Sequence, residues 1–418
     1  MALTAEQIAI VKSTAPVVKQ HGRTITTTFY ESMLSAHPEL HNIFSVRNQH
    51  TGAQQTALAN AVFAYAAHID NLGALGAAVE RIAHKHTALF VKPEQYAIVG
   101  EHLVGAFATV LGDALTDEVK EAWVAAYGQL ADVFIQREKQ MYEASGDEWQ
   151  SWRKFVVARR VAESDDVVSL YLRPRDGTPL RSFKAGQYVS VQVPVAELGG
   201  VLQSRQFSIS SVPGEGLGEL RVSVKRERLP DGAAARDMAV GKVPGLVSNK
   251  LHDDYLEGSE VELSAPHGDF YWDANEVRAG APVVLLSVGV GATPVIAILQ
   301  TMLRDGERRP ISYIHGARHA RSVLFREELK AAMAKHDNVR RAVVVKTVTG
   351  MDRVGQEYDM EGRMDLAKVG EELHLDHPDA QYYFCGPEGW MLETHAWLVE
   401  RGVAPERLHM ELFRTGTL

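Results

Sequence analysis

Two sets of residues in this chain have the types and spacing to do chemistry. The first centres on His86, within Arg81-Ile82-Ala83-His84-Lys85-His86-Thr87. At helical spacing His86 shares a face with Val79, Ile82, Leu89 and Phe90, so its imidazole is offered to an apolar space where it can ligate a metal. His84 lies with Glu80 and Arg81, and His102, beside Ile98, Val99 and Ala106, is a rival ligand. A histidine on an apolar face is more often a satisfied core residue, and periodicity alone leaves the choice of ligand open. Glu138 adds a constraint, because it sits in the stripe Phe134, Ile135, Met141 and Tyr142, where an unpaired carboxylate is costly. It must find a buried partner or escape to solvent near a helix end.

The second set is a series of glycine turns. Gly289-Val290-Gly291-Ala292-Thr293-Pro294 follows the apolar run Val283 to Ser287 and opens a helix, so its backbone can approach a phosphate at a helix N-terminus. Cys385-Gly386-Pro387 repeats the arrangement after Tyr382 to Phe384. Two such turns at strand C-terminal ends suit a nicotinamide and its pyrophosphate; one alone is a moderate signal, since a tight strand-to-helix turn also uses glycines. Arg205-Gln206-Phe207-Ser208 carries a cation for a pyrophosphate and a hydroxyl for a flavin edge, although four strand residues are a weak motif by themselves.

The elements that must hold these residues change character along the chain. Residues 1–144 repeat apolar positions at three- and four-residue spacing, as in Trp123, Tyr127, Leu130 and Phe134, and predict about six or seven helices in an all-α domain. Pro93 is placed to open one of them. A polar break at 145–151 reads as a linker. Residues 152–278 alternate with period two between Pro and Gly turns, which predicts an antiparallel β-barrel, and residues 279–418 alternate apolar strands with amphipathic helices, which predicts a parallel α/β sheet. A helical module leading into a reductase pattern suggests haem.

Composition narrows the partners. The 418 residues, 45% of them hydrophobic, can build several cores, and at about 100 to 200 residues per domain we expect three. A formal charge of −9 without a long basic run argues against nucleic acid. A single cysteine, Cys385, excludes an intrachain disulfide and any cysteine cluster for zinc or iron–sulfur, as expected in a reducing cytoplasm. Neither a leader pattern nor about 18 uninterrupted apolar residues is found, so no stable membrane insertion is expected.

Taken together, Gly186-Gln187-Tyr188, Arg205 to Ser208 and Gly289 to Pro294 resemble the ferredoxin-reductase type of FAD and NAD(P) module, in which Val247 and Ser248 would open the helix facing the FAD pyrophosphate. The whole chain resembles the bacterial and yeast flavohaemoglobins, a globin fused to that reductase. The resemblance implies haem b, FAD and NADH or NADPH. It makes His86 the proximal iron ligand, with Tyr96 and Glu138 behind it and Phe44 wedging the haem. Tyr30, Gln54 and Leu58 become the distal pocket, while Lys85, Tyr188 and Glu411 fall between haem and flavin, and Phe413 covers the flavin ring.

The implied activity is nitric oxide dioxygenase: electrons pass from NAD(P)H to FAD to haem, and nitric oxide and O2 become nitrate. The other readings are a ferric, quinone or hydroperoxide reductase, or an oxygen sensor. The self-contained electron path suggests that a monomer suffices. Two departures from the family pattern stand out. Phe207 replaces a tyrosine beside the flavin, and Leu412-Phe413-Arg414-Thr415 replaces the usual Cys-Phe-Gly-Pro. Arg318 and Arg321 are candidates for a 2′-phosphate, or surface residues, which leaves the nicotinamide preference open.

Overall fold

The computed structural model describes residues 3–227 and 245–413. Its first part is helical: α1 (Ala5–Ala36), α2 (Val46–Thr51), α3 (Ala53–Ala67), α4 (Gly76–Thr87), α5 (Pro93–Leu111) and α6 (Asp117–Ser145). The side chain of Thr4 caps α1 through the amide of Gln7, whose own side chain returns to the Thr4 amide. Val11, Val18, Ile25, Phe29 and Met33 form the buried stripe of α1 that seats it on the core with Leu103, Phe107 and Trp123. Gly22 permits close crossing, since a Cβ there would meet the Cβ of Ala59 at 3.2 Å. The helix from Pro93 to Ala114 is long and apolar enough to cross a membrane by composition alone. Here Tyr96, Leu103, Ala106 and Phe107 bury its inner face in the helical core.

The segment read as a polar linker is packed. Trp149 is buried and its ring stacks on Phe155 at 5.9 Å, with the Arg153 guanidinium 5.2 Å from its centroid. The polar neighbours of a single tryptophan disguise its apolar area in the sequence.

Strands β1 (Arg153–Ser164), β2 (Val167–Pro174), β3 (Tyr188–Val195), β4 (Val201–Ser208), β5 (Leu220–Lys225) and β6 (Glu260–Leu263) form an antiparallel sheet in the order β4-β3-β6-β1-β2-β5. A bridge from Ile209, just after β4, to Val222 of β5 ties its two edges together as a barrel. Helix α7 (Leu246–Asp253) lies between β5 and β6 in sequence. The last part is a parallel sheet, β10-β9-β8-β7-β11-β12, from β7 (Val283–Val288), β8 (Ile311–His319), β9 (Val339–Thr347), β10 (Met360–Glu361), β11 (Gln381–Cys385) and β12 (Leu408–Glu411). Helices α8 (Ala292–Arg304), α9 (Arg326–Lys335) and α10 (Glu388–Glu400) connect it. Near-continuous burial of Val283 to Leu286 and Tyr382 to Cys385 explains why these strands read as unbroken apolar runs. Strand order reverses between β7 and β11, and the crevice at their C-terminal ends is the place where such sheets bind ligands.

Candidate active site

Three helices converge on His86. Its Nδ1 lies 2.8 Å from Glu138 Oε1 and 2.9 Å from Tyr96 Oη, and Tyr96 donates to the same carboxylate oxygen at 2.5 Å. Glu138 is 3% exposed, so the carboxylate in an apolar stripe has its buried partners rather than an escape to water. Burial, and then the charge of Glu138, hold the Tyr96 hydroxyl protonated far above its ordinary range, which keeps it a donor. Both bonds engage Nδ1 while the imidazole side chain stays 33% exposed, so Nε2 is the nitrogen free to meet an iron. The corner after α4 is fixed as well. Phe90 adopts a left-handed φ of 55° and stacks on Tyr142, whose hydroxyl donates to Val91 O at 2.9 Å.

Tyr30 of α1 is 4% exposed, with the side chain of Gln54 on α3 beside its hydroxyl. Burial raises its pKa well above the ordinary value, so the hydroxyl stays a neutral donor. Phe44 meets Tyr30 edge-on at 5.5 Å, and Leu58 is half-buried against the same core. His102, the rival ligand, instead hydrogen-bonds Ser32 at 2.7 Å with its ring edge-on to His37.

The barrel carries a cleft of about 470 Å³ lined by Arg205, Gln206, Phe207, Ser208, Val247, Ser248 and Phe413. Arg205 is half-buried and its side chain donates to Ser204 O, with no carboxylate bridged to it among the described residues. Burial, then the nearby Arg47, pull its pKa down to about 10, the mark of a cation awaiting an anion. Ser208 Oγ is buried without a hydrogen-bond partner, as a hydroxyl reserved for a polar ring edge would be. These features fit a flavin dinucleotide.

A neighbouring cleft of about 800 Å³ is lined by Gly289, Val290, Gly291, Gly386 and Pro387, and shares Val290, Arg318 and Phe413 with the first. A Cβ on Gly291 would stand 2.1 Å from Cys385 O, so only glycine lets the two turns close on each other. Thr293 faces the barrel cleft, whereas Cys385, Ala292 and Pro294 line neither. All three are buried beneath the turns, because the first turn of α8 and the end of β11 pack into the sheet core. Phe413 is 48% exposed between the two clefts, while Arg414 and Thr415 lie outside the described residues.

Glu411 is buried and Lys85 is half-buried, so neither is a freely solvated surface charge. Glu411 is buried and pushed up to about 8 by burial and Asp269, against the pull of Lys85 and Arg81. Burial lowers Lys85, with Glu411 opposing. Tyr188 is buried against Gly268, where a Cβ would meet its ring at 3.1 Å. Arg318 binds the buried Asp166 at 2.5 Å and so joins barrel to sheet; Arg321 lines neither cleft.

The sequence reading missed Arg47, which reaches from α2 into the barrel cleft and pairs with Glu227 at 2.6 Å. It also missed how the helices dock: Gln203 accepts from Val46 N and donates to His41 O, and Leu202 N donates to Asn42. Polar residues in short loops carry no periodic signal.

The fold and its three sites define a multidomain oxidoreductase, a globin joined to a dinucleotide-dependent reductase. The globin family profile matches residues 27–134, and that of the oxidoreductase NAD-binding domain matches residues 285–395. The flavohemoprotein of Bordetella pertussis is 46% identical over 99% of both chains, and that of Bacillus subtilis is 41% identical over 98% of this chain and 97% of its own. The crystal structure of a Malassezia yamatoensis flavohemoglobin with bound FAD and haem superposes with a TM-score of 0.83 at 27% identity, covering 99% of this chain and all of that one. The chain belongs to the flavohemoprotein family.

Proposed function

We propose that this flavohemoprotein is a nitric oxide dioxygenase, converting nitric oxide and O2 to nitrate with electrons from NAD(P)H. The observation that carries the reading is the hydrogen-bonded His86–Glu138–Tyr96 set in the same helical core as the buried Tyr30 and Gln54 beside it. A simple oxygen carrier or a regulatory haem needs no such set joined to a complete reductase. The FAD and NAD-binding domain of a nitric oxide dioxygenase from Vibrio cholerae, 32% identical with a TM-score of 0.51 over 62% of this chain, supports the same reading.

When bound, NAD(P)H supplies hydride, FAD divides its two electrons into single ones, and haem iron carries the oxygen chemistry. The chain does the rest. We take residues 1–144 as the haem unit, 152–278 as the flavin unit and 279–418 as the nicotinamide unit, joined through 145–151. Glu138 accepts the Nδ1 proton of His86, and Tyr96 holds that carboxylate in place, so the imidazole is a stronger donor at Nε2. Tyr30 offers its hydroxyl proton to negative charge developing on the distal side, and Gln54 orients it. Arg205 and the first turn of α7 would hold the flavin pyrophosphate, Ser208 the ring edge, and Gly289 to Gly291 with Gly386 the nicotinamide dinucleotide.

The test is nitrate yield and NADH consumption with nitric oxide, with and without oxygen. Nitrate formed only with oxygen, in proportion to nitric oxide consumed, is expected. NADH consumption with oxygen but no nitrate would overturn the proposal in favour of a general flavohaem reductase.

A further inference from the structure

One side of α4 is covered by the reductase. Arg81 Nε lies 3.6 Å from Asp269, His84 Nδ1 accepts the Gly268 N–H at 3.2 Å, and Thr87 Oγ1 is 3.4 Å from His267 Nδ1. His267 exchanges both backbone hydrogen bonds with Tyr188, each 2.8 Å. A short chain of contacts therefore runs from the neighbour of the iron ligand, Thr87, through His267 to the tyrosine expected beside the flavin.

The proton positions follow from the partners. The Thr87 hydroxyl donates to Ala83 O at 2.9 Å or His84 O at 3.1 Å, so it accepts from His267 and fixes the proton on Nδ1 of that ring. His84 accepts at Nδ1 and turns Nε2 toward Glu80 at 3.4 Å, so its proton is on Nε2. Burial, with His84 nearby, pulls His267 down to about 3 and keeps it neutral, a donor of fixed direction rather than a charge. Gly268, at φ +123°, turns the chain so that its amide reaches His84 while the Tyr188 ring packs on its Cα.

We propose that His84 and His267 are positioning residues for flavin-to-haem electron transfer, clamping the iron-ligand helix to the Tyr188 turn of the flavin barrel. This rests on the reading that His86 and Tyr188 flank haem and flavin. The step is the transfer of one electron, oxidising reduced flavin and reducing ferric iron, with NAD(P)H as the source. Electron tunnelling weakens exponentially with separation, and a misplacement of about an ångström suffices to slow a reaction strongly. A helix held by two oriented histidines keeps that separation fixed.

The experiment mixes anaerobic holoprotein with NADH under carbon monoxide, following flavin bleaching and the haem Soret band separately. His267→Ala and His84→Ala should each slow haem reduction about tenfold, with flavin reduction and ferricyanide reductase activity unchanged. His267→Asn, which keeps a donor near the Nδ1 position, and His84→Asn, which keeps an acceptor, should return the rate to within about twofold of wild type. Deuterium exchange of the peptide spanning 264–270 should accelerate in His84→Ala and not in His84→Asn. Wild-type haem reduction in both alanine variants would overturn the proposal, as would a parallel fall in flavin and haem reduction. If His267→Ala does not fold, the His84 pair alone decides. Nitrate enters none of these readouts, so the clamp can fail with the dioxygenase intact, and the reverse.

Discussion

The haem pocket and the nicotinamide crevice solve opposite problems. In the pocket, function is carried by side chains: His86, Tyr96 and Glu138 come from three helices and meet within 3 Å. In the crevice it is carried by backbone, where Gly291 and Gly386 bring two strand ends together because neither has a side chain. A side-chain site can be tuned by a single atom and still be occupied, whereas a backbone site is either open or closed.

That contrast orders the effects of substitution. Gly291→Ala drives a Cβ into Cys385 O, and should lower NADH-dependent flavin reduction by more than about a hundredfold. Haem reduced by dithionite should still bind carbon monoxide; loss of both would mean collapse of the chain rather than closure of the crevice. Tyr30→Phe removes one hydrogen bond of about 1.5 to 3 kcal/mol to developing charge, so flash photolysis should show the oxygen off-rate raised about tenfold to a hundredfold. An unchanged rate would remove Tyr30 from the account. Glu138→Gln keeps the shape but not the charge, so resonance Raman should show a lower iron–histidine stretching frequency and nitric oxide turnover about tenfold slower.

The pH dependence tests the ground between the two sites. Glu411 is pushed up to about 8, so the folded chain holds a proton that an unfolded carboxylate, near 4.5, releases. Its contribution therefore makes folding less favourable as pH rises through that window. The melting temperature of Glu411→Gln should fall less than that of wild type between about pH 5 and about pH 8; parallel curves would show that Glu411 does not titrate there. The smallest effect is expected at Arg318, already tied to Asp166. In Arg318→Ala the NADPH to NADH preference should move by less than about threefold, and a larger change would make Arg318 a phosphate reader.

The same contrast explains what the sequence made legible. Gly289 to Gly291 after an apolar strand is a local signal, and the fold class followed from periodicity switching between helix and strand. His86 and Glu138 lie 52 positions apart, and nothing local links them. Their pairing was suggested by the cost of a carboxylate in an apolar stripe, and the particular ligand came through resemblance. The docking of α4 on the turn at 267–269 escaped because a polar helix face reads the same whether water or a polar partner covers it.

The claim that this chain oxygenates nitric oxide is tested most directly by isotope. With ¹⁸O2, NADH and nitric oxide, the nitrate produced should carry both atoms of the labelled oxygen molecule. Nitrate with one labelled atom or none would contradict a dioxygenase.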